Sequence, residues 1–370
     1  MLVVNAGSSS LKLSVLEASD EVALGESIPL SGIRPDEEKV RQWVAGAGTI
    51  DAIGHRIVHG GIELTSPVLI DDDVVSKLEA LTDLAPLHQP KSLAALDLVH
   101  RVLPETPGVA CFDTAFHAQI PPAATTYAIP AEWRKRWPLR RFGFHGLSHA
   151  YVAKRVAEVA GVAVEDVRTV SCHLGAGASL AAISGGRSVD TTMGFTPLEG
   201  LVMATRSGSV DPGLVLWLEQ HTGMPPSELA ATLESRSGLL GLAGTADMRA
   251  VLAAEAAGDE RAALAVSVYL HRLRAGIAAM AAAMGGLDLL AFTGGVGEHA
   301  PEIRVRAGAG VGFLGVGIDV DRNRDAVPDA EIGASGAEVR TFVLTAREDV
   351  EIAREVRSCL EGPGKQVQPG

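Results

Sequence analysis

The chain has 370 residues, 47% of them apolar, which suits two medium cores and is too much for one small one. Its formal charge of −13 excludes a basic nucleic-acid scaffold, and no apolar run is long enough to span a bilayer as a helix. Its three widely spaced cysteines, Cys111, Cys172 and Cys359, supply neither a disulfide framework nor a CxxC metal pair, a usage that fits a reducing cytoplasm.

Residues 2–5 read as a short apolar strand, 6–10 as a Gly/Ser turn and 11–15 as the alternating return strand, with nothing in 1–10 that resembles a secretory signal. A strand over 52–58 is closed by Gly60 and Gly61. The acidic run 71–73 offers an N-cap to a helix ending near 81, and Pro90 opens another that reaches 102. A strand over 109–112 ends at Asp113, and Cys111 within it, like Cys172 later, reads as a buried thiol. After a loop-rich section over 117–148 come a helix over 149–160, a strand over 167–174, a glycine turn and a strand over 180–183. An alanine-rich helix over 259–284 is stopped by Gly285 and Gly286. A strand over 287–292 runs into a glycine loop, a last helix covers 349–360, and the tail 361–370 reads as disordered. The strand, Gly/Ser turn, strand pattern of 2–15 returns at 168–183, which suggests two similar halves facing one nucleotide.

Several segments carry chemistry. Gly7, Ser8, Ser9, Ser10 and Lys12 combine small side chains, backbone N–H donors and a cation, as a phosphate requires, without a GxxxxGK[ST] pattern; an ordinary serine-rich hairpin is the alternative. His55 and His59 would form a metal pair on a helix, but Ile57, Val58 and the glycines after them favour a strand. There Arg56 and Val58 share a face, suited to a carboxylate head and its methyl, or equally Arg56 is a surface residue of an edge strand. Asp113 stands at the C-terminal end of a strand, where ligands bind in open α/β sheets, or it caps a helix. His145 lies among Arg140, Arg141, Phe142 and Phe144 between glycines, and Arg206 is an anion ligand candidate in an unusually long loop over 190–208. The glycines of 292–298 allow a base or ribose against the backbone. Glu348 and Asp349 open a helix, as charge at its N-terminus or as a carboxylate for Mg2+.

Together, NAGSSSLK at 5–12, GHRIVHGG at 54–61, FDTAFH at 112–117, FGFHGLSH at 142–149 and DTTMGFTPLEGL at 190–201 resemble the acetate kinase family, in order, from residue 2 to about 355. The resemblance implies an α/β fold of two ribonuclease-H-like domains of the actin-type ATPase class with a nucleotide cleft between them. Residues 1–117, completed by 350–370, would form one, and 118–349 the other. It implies a cytoplasmic homodimer, with no nucleic-acid or membrane partner, that moves the γ-phosphoryl group of ATP reversibly and in line to acetate. Mg2+ would be the cofactor, with Mn2+ able to replace it. By the same resemblance, Asn5 and Glu348 hold the metal, and Ser8, Ser10 and Lys12 order the phosphates. Arg56 and Arg206 grip the carboxylate and the phosphoryl group in flight, Asp113 orients the attacking oxygen, and His145 bonds phosphoryl oxygens. Val58, Leu87, Phe144 and Pro197 line the methyl pocket. His173, Gly175, Ala176 and Gly177 form a second phosphate loop, and Asp247, Met248, Arg249, Gly295, Gly297 and His299 surround the nucleoside.

Three positions depart from the family pattern: Ala176 and His299 each replace an asparagine, and 346–349 reads Ala-Arg-Glu-Asp in place of TNEE. The last leaves Glu348 and Asp349 as alternative metal carboxylates. A propionate kinase and a catalytically weakened nucleotide-binding relative are the rival readings.

Overall fold

The computed structural model describes residues 1–7, 10–86 and 88–362; Ser8, Ser9, Leu87 and 363–370 lie outside the described residues, and with them the expectations for Ser8, Leu87 and most of the tail. The chain divides into two compact units. The first comprises Met1–Ala118, His145–Tyr151 and Arg347–Gly370, the second Gln119–Phe144 and Val152–Ala346. The stretch around His145, assigned from sequence to the second domain, thus packs with the first unit.

The first unit is built on strands β1 (Leu2–Ala6), β2 (Ser10–Leu16), β3 (Val22–Ser31), β4 (Arg34–Pro35), β5 (Ile53–Ile57), β6 (Val68–Leu69) and β7 (Gly108–Phe112), in the order β4-β3-β2-β1-β5-β7-β6. β1, β2 and β3 run antiparallel, whereas β1, β5 and β7 are parallel and buried, which is why β7 reads as an apolar run without alternation. Successive residues of β5 point to opposite faces. Ile53 joins Leu2, Leu13, Leu98 and Val99 in the core beneath the helix Gln89–Val102. Gly54 faces the other way, against the helix Glu348–Glu361: a Cβ there would lie 2.4 Å from Ile352 Cγ2 and 2.9 Å from Val356 Cγ2. Glycine at 54 therefore sets how closely the last helix approaches the sheet, and Arg56 shares that face.

The second unit repeats the plan with β8 (Arg168–Leu174), β9 (Ala178–Ser184), β10 (Arg187–Thr191), β11 (Leu289–Thr293), β12 (Ala330–Glu331) and β13 (Arg340–Val343), ordered β10-β9-β8-β11-β13-β12. In both sheets the first three strands form an antiparallel meander and the next two main strands add in parallel beside the first, the ribonuclease-H-like arrangement. The long helix Glu260–Ala283 packs Ala265, Val266, Tyr269, Leu270 and Leu273 inward. Asp259 caps its start by accepting from Ala262 N at 2.9 Å. At its end Gly285 N donates to Ala282 O and Gly286 N to Ala281 O, with Gly285 at φ +67°, a pairing that needs glycine's left-handed freedom.

Two local expectations change. Strand β5 ends at Ile57, so His59 lies beyond it, and its Nδ1 accepts from Gly61 N at 2.9 Å. The glycine stretch after β11 is a short helix, Gly294–His299, rather than an open loop. Glu298 fixes that turn by accepting from both Gly294 N and Ala346 N at 3.0 Å. No helix among the described residues is long and apolar enough to cross a membrane.

Candidate active site

In the first unit, register brings the chemistry together. Asn5 stands beside Arg56 in the β1–β5 pairing, and both precede the strand ends. Asp113 follows β7 directly, held by its N–H to Ile57 O at 3.0 Å. Arg56 Nε and Nη2 donate to the two oxygens of Asp113 at 3.0 and 2.6 Å, a bidentate pair. Arg56 Nη1 donates to Asn5 Oδ1 at 3.0 Å, and Asn5 Nδ2 donates to Glu348 Oε2 at 3.1 Å. Arginine only donates and an ionised glutamate only accepts, so this chain of bonds fixes which way the Asn5 amide points. Glu348 Oε2 also lies 3.9 Å from Arg56 Nε. Glu348 therefore turns toward the cluster, while Asp349 is bound by Arg347 Nε at 2.9 Å.

The Asp113 side chain is 2% exposed and that of Arg56 15%. Arg56 is thus no surface residue, since β5 is an interior strand, and Asp113 is no helix cap. Burial lifts the Asp113 carboxyl above its ordinary range, against the pull of Arg56 and with a further push from Glu348. Burial also opposes the charge on Arg56, but the carboxylates of Asp113 and Glu348 outweigh it and raise the guanidinium above its ordinary value. Three of the five guanidinium N–H groups are engaged in these bonds, which leaves two for a ligand.

His145 adopts φ +57°, a left-handed conformation that costs a non-glycine residue energy. The helix Gly146–Ala160 begins immediately after it, and Gly146 N donates to Asp113 O at 2.8 Å. A Cβ at 146 would sit 2.2 Å from that oxygen, so the GFHG sequence docks this helix onto the end of β7. Val58 is buried in the same unit. Lys12 pairs with Asn5 across β1 and β2 and is exposed, while Gly7 N donates to Ser10 O at 2.8 Å to close the first turn.

The second unit holds a cavity of about 380 Å³ whose walls include Gly175, Ala176, Asp247, Met248, Gly295 and His299, together with Arg249. Gly175 N donates to Gly177 O at 2.9 Å, which closes the β8–β9 turn, and His173 stands opposite Ser179 in that hairpin. Asp247 caps the helix Met248–Ala256 and binds the exposed Arg249 at 2.9 Å, which holds its carboxyl below the ordinary range. Gly297 does not line the cavity: it is buried, and a Cβ there would meet the Phe292 backbone at 3.4 Å, so its smallness serves packing. Arg206 donates from Nη1 to Pro197 O at 3.3 Å, and Phe144 and Pro197 are buried. Sequence reasoning did not single out Ala204, Leu239 or Tyr269, which also line the cavity. Tyr269 sits in an alanine-rich helical run and reads there as core, so no local signal marks it.

Residues 36–354 match the Acetokinase family. This chain belongs to that family. It is 40% identical to an acetate kinase of Shouchella clausii, over 96% of this chain and 98% of that one, and 47% identical to one of Nostoc punctiforme, over 84% and 77%. Among solved structures it resembles Porphyromonas gingivalis acetate kinase, with TM-score 0.88 and 34% identity over 97% of this chain and 99% of the other. It resembles a Francisella tularensis propionate kinase as well, with TM-score 0.89 and 33% identity over 96% and 98%.

Proposed function

We propose that this chain transfers the terminal phosphoryl group of ATP to acetate, giving acetyl phosphate and ADP, and runs the reaction in both directions. The observation that carries the reading is the bidentate Arg56–Asp113 pair with Asn5 and Glu348 in a member of the acetokinase family. A carboxylate is already ionised and nucleophilic at neutral pH, so the reaction needs no strong base. One oxygen of the acid bonds the γ-phosphorus while the bond from that phosphorus to the β–γ bridging oxygen breaks, and ADP leaves with the electron pair. What opposes the step is the meeting of two anions, which fixed cations and positioned donors relieve.

In this reading the two remaining N–H groups of Arg56 bind the acid or the phosphoryl group, with Arg206 and His145 as further donors to those oxygens. Asp113 holds the Arg56 fork and orients the attacking oxygen. Val58, buried in the first unit, is the apolar residue proposed to meet the methyl group. The cavity of the second unit accepts the nucleoside, with the β8–β9 turn next to its phosphates.

Mg2+, or Mn2+ in its place, would be held by the carboxylate oxygens of Glu348, and by Asn5 once its amide oxygen turns away from the Arg56 contact it makes here. Among the described residues no group of three or more His, Cys, Asp or Glu side chains forms a metal cage, which suits an ion completed by phosphates and water. When bound it would supply positive charge to offset that of the phosphate oxygens. The Arg347 contact to Asp349 supports Glu348 as the carboxylate. A homodimer is supported by Leu214, Leu216 and Trp217, all about half exposed on the helix Pro212–Thr222, and a cytoplasmic location by three cysteines in no disulfide.

The test is ADP release with Mg-ATP and no acid, formate, acetate, propionate or butyrate, with acyl phosphate trapped by hydroxylamine. Acetate-dependent turnover with trapped product is expected. Turnover peaking at propionate would favour the second reading, which the likeness to the Francisella tularensis enzyme raises. ATP binding without acid-dependent turnover would overturn both.

A further inference from the structure

Tyr269 lies on the long helix Glu260–Ala283 and lines the 380 Å³ cavity together with Gly175, Asp247 and Gly295. The residue is 4% exposed, and its hydroxyl is shielded from solvent with no hydrogen-bond partner among the described residues. A buried hydroxyl left unpaired is destabilising, and native structures seldom keep one without a use. A phenylalanine would fill the same space without that cost. Among the other polar groups at the cavity wall, Asp247 binds Arg249, and the Gly175 N–H closes its own turn.

We infer that the Tyr269 hydroxyl is a nucleotide-positioning group, satisfied when the donor nucleotide occupies this cavity. Because the hydroxyl is closed to water, no water bridges it: a bound nucleotide shifts the Tyr269 ring at the cavity wall, and one of its polar atoms then meets the hydroxyl directly. Burial, with a smaller push from Cys172, keeps the phenol protonated well beyond the ordinary tyrosine range, so the oxygen carries its proton at every working pH. The role is one of ground-state binding: the hydroxyl orders the nucleotide and takes no part in bond making.

The inference rests on the nucleotide reading of the cavity, and its test needs no turnover. Mg-ADP binding by calorimetry is compared in the parent chain and Tyr269→Phe, together with thermal melting without nucleotide. Tyr269→Phe is expected to weaken Mg-ADP roughly three- to tenfold, as loss of one neutral hydrogen bond does. Without nucleotide it is expected to melt at the same or a higher temperature, because the unpaired hydroxyl is gone. In steady state the KM for ATP rises by the same factor while kcat and the KM for the acid hold. Unchanged Mg-ADP affinity would overturn the inference. So would a lower melting temperature without nucleotide, which would show that the hydroxyl stabilises the fold instead. If ADP binding weakens while no acid supports turnover, this inference stands and the proposed reaction falls.

Discussion

Replacing Gly54 with alanine tests whether the last helix places the site. The new methyl group would lie 2.4 Å from Ile352 Cγ2 and 2.9 Å from Val356 Cγ2, where ordinary contact begins at 3.4 Å. Ile352 and Val356 are fully buried, so neither side chain can swing into solvent. The helix must therefore withdraw by about 1 Å, at an overpacking cost of about 1–3 kcal/mol. Glu348 lies one turn before Ile352 on that helix, and its bond to Asn5, now 3.1 Å, would lengthen past hydrogen-bonding range. A misplacement of this size costs a reaction that depends on positioning up to about a hundredfold. Urea unfolding of Gly54→Ala should show the lost stability, and acid-dependent turnover at saturating Mg-ATP should fall by about ten- to a hundredfold. Adding Ile352→Ala opens space for the methyl group and should restore turnover, even though it creates a cavity elsewhere. A Gly54→Ala chain with parental stability and turnover would refute the reasoning, as would a double variant no more active than the single one.

Glu348→Gln should raise the Mg2+ concentration for half-maximal turnover by about tenfold, whereas Asp349→Asn, whose carboxylate is engaged by Arg347, should change it little; a Mg2+ titration of both decides between them. Ala176 lines the cavity proposed for the nucleoside and its carbonyl accepts from Ala204 N at 3.1 Å, so Ala176→Asn adds an amide donor there and should lower the KM for ATP by roughly three- to tenfold. No change in nucleotide kinetics would sink that idea. Burial lowers His55 to about 3 and His59 to about 4, below an unfolded value near 6.5. The unfolded chain thus binds more protons below pH ~6.5, so this stability is full above that pH and is lost as pH falls toward 3, by up to about 1.4 kcal/mol per pH unit for each histidine. Urea midpoints from pH 7.5 to 4.5 should show the decline, and His55→Leu should flatten it; an unchanged slope would exclude His55 as a source.

Much of the site was legible because its residues carry their chemistry in short contiguous motifs. GHR marks a cation on a strand, FDT a carboxylate at a strand end, and NAGSSSLK a tight turn between two strands. The repeated hairpin at 2–15 and 168–183 announced two similar sheets, since both meanders are local and need only alternation and a glycine turn. The strands β3 and β10 and the helices Pro212–Thr222 and Pro226–Ser235 escaped notice. β3 is largely exposed, so no apolar run marks it. The helix Pro212–Thr222 is apolar over 212–218 and polar over 219–222, a block pattern with no periodic polar face to announce it.

The sequence by itself determined the chemical inventory: which groups can hold an anion, which turns admit a phosphate, and that Glu348 and Asp349 open the last helix. Tertiary structure alone decided which of these groups meet. Asn5 and Glu348 are hydrogen-bonded across 343 positions of chain, and only the parallel register of β1 with β5 and the space above Gly54 bring them together. It alone separated Glu348 from Asp349, because adjacent residues on a helix point about 100° apart and only one can face Arg56. It alone turned Tyr269 from one more residue of a long helix into a cavity wall whose hydroxyl has no hydrogen-bond partner among the described residues. Local sequence encodes propensity and chemistry, but which groups share a site is set by the burial of both faces of two sheets, a property of the whole chain.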